Sequence, residues 1–177
     1  MIDLKIKNGV PDAISIAGYV YLLNTDFRLW MDFPERIKDF FEGKTERYTD
    51  LFAGDPAPIT EETIEQLGTF YFQKPVVPRG GSDGEDVLSF DIDSGYIYAA
   101  FLQTYRIDLT ECDMHWHKFQ ALLTALPEDT MLVHITSSRQ YKGSEKELRE
   151  LRYMWELPAE YTEEEKEAVE EFNELFG

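Results

Sequence analysis

A chain of 177 residues, 43% hydrophobic and 14% aromatic, is long enough for one domain and apolar enough to bury a sizeable core. Its net charge of −18 excludes a duplex-binding or anionic-membrane face, each of which needs clustered Lys and Arg, and favours solubility and basic partners. A single cysteine, Cys112, excludes an intrachain disulfide. Met1-Ile2-Asp3 does not open a signal peptide, and no apolar run approaches a membrane span, so a cytoplasmic protein is expected.

Residues 2–24 read as a β-hairpin region. Leu4 and Ile6 alternate with polar neighbours, as do Ile14 and Ile16, and Tyr19 to Leu23 is rich in aromatic and branched residues. Ala17-Gly18 is the expected tight turn between the last two runs. Residues 25–42 carry Phe27, Trp30, Met31, Ile37, Phe40 and Phe41 at near-helical spacing, with Asn24, Thr25 and Asp26 as N-cap candidates. Pro34 predicts a break near Phe33, and Gly43 a stop. A short helix is expected around Tyr48, Leu51 and Phe52. After the loop Gly54-Asp55-Pro56-Ala57-Pro58, a longer helix is expected from Thr60 to about Gln73.

The stretch 75–89, with Gly80-Gly81-Ser82-Asp83-Gly84 at its centre, reads as a flexible loop within one domain of residues 1–177. Further helices are expected over 91–105, with Asp93 or Ser94 as cap, over 112–125, and shortly after Asp129-Thr130. Residues 144–177 read as C-terminal acidic helices, with 12 acidic and 4 basic residues. Two capping boxes open them: Ser144-x-x-Glu147 before Leu148, Leu151, Met154 and Trp155, and Thr162-x-x-Glu165 before Val169, Phe172 and Phe176. The fold class is therefore mainly α: a compact domain of about six to eight helices with a small N-terminal β-hairpin or sheet.

Each candidate for chemistry fails on spacing or local charge. His115-Trp116-His117, with Asp113 and Cys112, is the best metal candidate, but residues i and i+2 diverge on a helix, so capping or core-edge packing is expected. Asp91-Ile92-Asp93-Ser94-Gly95 lacks the Gly at position 6 and the Glu at position 12 of a calcium loop. The Gly80 run has no Gly-Lys-Ser/Thr ending, and Asp83, Glu85 and Asp86 would repel phosphate. Glu111 and Asp113 beside Cys112 raise a thiol pKa, which opposes nucleophilic use. No enzyme activity, metal or cofactor is expected. Trp30, Trp116, Trp155 and Phe176 are the candidate protein-binding residues, because they are the most wasteful to expose; ordinary core burial is the alternative for each.

Three segments carry a resemblance. They are Ile16-Ala17-Gly18-Tyr19 leading into Asn24-Thr25-Asp26-Phe27-Arg28; Asp91 to Tyr105 running on into Ile107-Asp108-Leu109; and Met114-His115-Trp116-His117-Lys118-Phe119 followed by Leu122-Leu123 and Leu126-Pro127-Glu128-Asp129-Thr130. In order and spacing, over about residues 2–140, the chain resembles the phage gene-product-fifteen family of tailed-phage proteins. It departs from that pattern at Arg106, where a small or turn-forming residue is usual, and at His117, where a second aromatic is common.

The resemblance implies a siphophage or prophage gene of a Gram-positive host, placed between the major tail protein and the tape-measure protein. It implies a tail assembly chaperone that binds the tape measure in the host cytoplasm, with possible self-association and no nucleic-acid or membrane partner. It brings no catalytic residues. A minor structural tail protein of the virion, or an acidic DNA mimic that inhibits a host DNA-binding enzyme, are the alternatives.

Overall fold

A computed structural model describes residues 2–44, 46–73 and 87–158. Among them are one two-stranded antiparallel sheet and eight helices, so the protein is mainly α with a small N-terminal hairpin, as the pattern predicts. By contact the chain divides into two compact units, Met1–His134 and Ile135–Gly177.

The first unit opens with a knot of turns and not a strand. Asp3 and Gly9 close it through an N–H to carbonyl bond, and Leu4 and Ile6 stay exposed. Alternation at Leu4 and Ile6 therefore misled: with no neighbouring strand to pair with, a two-residue alternation has nothing to bury. The strands are β1 (Ala13–Ile16) and β2 (Tyr19–Leu22), paired Ile14 to Tyr21 and Ile16 to Tyr19. Ala17 and Gly18 turn between them, both at positive φ (48° and 83°), the type I′ geometry that matches strand twist. Ile14 and Ile16 are buried, and the helix over Glu61–Phe72 lies against β1.

The helix break at proline is real. Helix α1 (Phe27–Met31) starts at Asp26, whose carboxylate accepts from the Arg28 N–H. Asp32 separates it from α2 (Phe33–Phe41), with Pro34 in the first turn where its missing N–H costs nothing. Gly43, at φ 86°, follows. Helix α3 (Glu46–Thr49) is one turn. Helix α4 (Glu61–Phe72) is capped by Thr60, whose hydroxyl accepts from the Thr63 N–H.

Helix α5 (Ser94–Tyr105) begins at Ser94 and not at Asp91. Asp93 precedes it, but its carboxylate accepts from the Ser89 N–H behind it and so fastens the incoming loop. Arg106 ends α5 in the left-handed region at φ 59°. Helix α6 (Trp116–Thr124) starts later than the pattern suggests, because residues 106–115 form the connector. Helix α7 (Met131–Gln140) follows.

The core of this unit is aromatic. Trp30, Phe101, Trp116 and Phe119 are fully buried with Leu51, Leu67 and Ile97. Phe27, Phe101 and Phe119 stack at centroid distances of 4.7 and 5.1 Å.

The second unit contains α8 (Lys146–Trp155). Its N-cap is Glu145 and not Ser144, and no side chain closes the cap; the Glu145 N–H instead donates to the Tyr141 hydroxyl. The loop core at 74–86 and the final stripe of Val169, Phe172 and Phe176 lie outside the described residues.

Candidate functional site

The segments that carry the resemblance meet in one place. The Trp116 N–H donates to Thr25 O, and the Phe27 N–H donates to Met114 O, so the entries of α1 and α6 are stitched backbone to backbone. The Arg28 guanidinium reaches across to the carbonyls of Leu109 and Cys112, each at 2.9 Å, while pairing with Asp26 at 2.8 Å. Asp108, in the same connector, accepts from the Thr110 N–H and hydroxyl, which hold its carboxyl below the usual carboxylate range.

The two histidines belong to this junction. His115 caps α6: its Nδ1 accepts from the His117 N–H at 3.0 Å, and its Nε2 donates to Pro11 O at 2.8 Å. That pairing requires the neutral ring with the proton on Nε2. His117 Nε2 donates to Phe70 O at 2.8 Å, and the ring packs on Phe70. Burial pushes both imidazoles below their ordinary pKa, His117 to about 4. The divergence expected from helical spacing does not occur. His115 lies before the helix on extended backbone, and the two rings meet edge to face at 5.0 Å. Both Nε2 atoms are spent on carbonyls, and among the described residues no group of three or more His, Cys, Asp or Glu is placed to hold a metal ion.

Cys112 is half-buried, and burial raises its thiol pKa, with Arg28 pulling it partly back. Arg36 is 7% exposed and donates to Arg47 O at 2.7 Å. The junction is thus a set of polar anchors around an aromatic core.

The predicted contact residues fare differently. Trp30 is fully buried, donates to Asn24 O and packs on Phe33 and Phe70. Trp116 is also buried, donates to Tyr71 O and stacks on Tyr71 at 5.2 Å. In this arrangement neither ring is open to a partner. Trp155 is half-buried at the end of α8, and Phe176 lies outside the described residues.

An exposed apolar surface lies instead on the hairpin, at residues that sequence reasoning did not single out. In the register of the hairpin, Ala13 faces Leu22 and Ser15 faces Val20, which puts all four on the side away from Ile14 and Ile16. Val20 is 70% exposed, Leu22 57%, and Tyr19 at the turn 70%. The lower end of β2 is closed by Ala53, whose N–H donates to Leu22 O. The signal was present in β1 and β2: four of the eight strand residues face away from the buried side, and two of those four are large and apolar.

The chain matches the Bacteriophage Gp15 protein family over residues 6–176. It belongs to that family. The match runs through the last 35 or so residues, where the sequence offers no recognisable motif, so the acidic C-terminal stretch is part of the Gp15 pattern too. No curated protein and no solved structure matches the chain. Among the described residues of this Gp15 protein, no helix is long and apolar enough to cross a membrane.

Proposed function

We propose that this phage protein is a non-enzymatic tail assembly chaperone that binds the tape-measure protein in the host cytoplasm. The observation that supports the reading is the uncharged outer face of the hairpin, where Val20 and Leu22 stand exposed on a protein of net charge −18. An acidic body around an apolar contact fits a client with a long apolar stripe: the face takes the stripe, and the charge keeps the loaded complex dispersed. The gene position implied by the resemblance supplies the client. Nucleic acid, membrane and cofactor have no part in this reading, and self-association along the client is expected.

Co-expression of the tape-measure protein with the wild type and with Val20→Glu/Leu22→Glu tests it. The wild type should co-purify with the tape measure and be absent from finished virions, and the double variant should capture at least about tenfold less. Stoichiometric presence in the virion would replace the proposal with a minor structural tail protein. Equal capture by the double variant would remove the hairpin as the contact.

A further inference from the structure

In a chain that is 29% charged, helix α5 (Ser94–Tyr105) holds no Asp, Glu, Lys or Arg, while every other described helix holds at least one. Its inner side, with Ile97, Ala100 and Phe101, is buried in the core. On its outer side Gly95, Ala99, Leu102 and Gln103 fall at i, i+4, i+7 and i+8, and all are exposed. The turn before α5 already keeps helical spacing, because the Asp93 N–H donates to Ser89 O. Ile92 therefore continues the strip at one end and Arg106 at the other; Ile92 is 53% exposed and Leu102 39%. Charge stands only at the two ends, as Asp91 beside Ile92 and as Arg106. Both are exposed, and neither has an ion partner among the described residues. Arg106 also holds the left-handed backbone that disfavours a side chain, at φ 59°.

We propose that this strip is the contact between two copies of the chain, packed antiparallel about a two-fold axis that passes by Ala99. The strip is its own complement under that operation. Ala99 meets the partner's Ala99, and two small residues on the axis let the helices approach closely. Leu102 comes opposite the partner's Gly95, where the space a Cβ would take is open. Seven residues from Ala99 in either direction, Ile92 and Arg106 come opposite each other, and each Arg106 reaches the partner's Asp91. Antiparallel packing thus makes two ion pairs, whereas parallel packing would set Asp91 on Asp91 and Arg106 on Arg106. Copies of net charge −18 repel one another, and a face without carboxylates is where that repulsion is least. From Asp91 to Arg106 the strip runs about 22 Å. Its area is small beside the roughly 800 Å² per partner of a standard interface, so the dimer is weak and depends on concentration. This contact supplies a surface for the self-association expected above, but neither the client nor the hairpin enters it.

Sedimentation velocity of the full-length chain, from micromolar to near-millimolar concentration, tests it. The wild type should pass from monomer to dimer. Asp91→Arg and Arg106→Asp should each weaken the dimer at least about tenfold, and the double variant, whose net charge equals that of the wild type, should restore it to within about threefold. Aspartate tolerates the left-handed region, so Arg106→Asp keeps the end of α5, and melting temperatures at low concentration control for folding. In a Cys112→Ser background, Ala99→Cys with oxidised glutathione should give a disulfide-linked dimer, since the axis brings the two Cβ atoms within reach. A wild type that stays monomeric throughout would overturn the proposal and leave the face to a different protein. So would a dimer indifferent to the single reversals, a double variant no stronger than either single, or a dimeric Ala99→Cys sample that does not cross-link.

Discussion

At the residue scale the two histidines read as a pH liability and not as chemistry. The folded pKa of His117 is about 4, below the ordinary 6.5, so folding favours the neutral ring. Stability is then complete above pH 6.5 and is lost as pH falls toward and through 4; His115 shifts in the same direction. The protonated His117 ring would put an N–H at Nδ1, which has no acceptor among the described residues. At roughly 1.4 kcal/mol per unit, the shift of His117 alone costs about 2–3 kcal/mol by pH 4.5. Urea midpoints should show this loss between about pH 7 and 4.5. His117→Gln, which can still donate to Phe70 O but does not titrate, should lower the curve as a whole and flatten its acid slope. An unchanged slope would mean that other groups set the acid sensitivity.

Arg106 is the second informative residue. It holds φ 59° at the end of α5, where a side chain costs about 1 kcal/mol and glycine nearly nothing. The departure from the family pattern at this position is thus a departure from the cheaper residue. Arg106→Gly should stabilise the protein by up to about 0.5 kcal/mol after the greater freedom of the unfolded glycine is deducted, visible as a higher denaturant midpoint at unchanged slope.

At the element scale, sequence signals were dependable where one local rule acts alone. Pro34 breaks α1 from α2, Thr60 caps α4, and Ala17-Gly18 turns the hairpin. They failed where a distant partner decides. Residues 112–115 resemble the start of a helix, but the backbone bonds to Thr25 and Phe27 hold the connector extended and delay α6 to Trp116. That delay brings His115 and His117 together, against the helical spacing argument. Large aromatics also carried no label: Trp30 and Trp116 are core, while the exposed apolar face of the hairpin consists of the smaller Val20 and Leu22, which periodicity alone assigns to either side of a strand. The hairpin offers its own test. Its first turn residue, Ala17, sits at φ 48°, where asparagine is at home. Ala17→Asn should raise the melting temperature, by about 0.5 kcal/mol in stability, and Gly18→Ala should lower it, since Gly18 stands at φ 83°. Both can keep the Ala17 N–H bond to Glu62, which uses backbone.

At the scale of the whole molecule, the charge of −18 makes folding and binding respond to salt in different ways. Like charges repel within the folded body, and salt with a Debye length of about 10 Å at 0.1 M weakens that repulsion, so the denaturant midpoint should rise with ionic strength. Under the proposed function, capture of a client through Val20 and Leu22 would depend on apolar burial and should hold steady or strengthen over the same range. An acidic DNA mimic would behave otherwise: its hold on a basic DNA-binding enzyme rests on ion pairs and should weaken steeply as salt rises. A salt series measuring both the midpoint and the captured fraction therefore separates the two partner classes in one experiment. A midpoint that rises while capture stays level is the outcome expected of an acidic body built around an apolar contact; capture that collapses as the midpoint rises would hand the function to the carboxylates and leave the hairpin face unexplained.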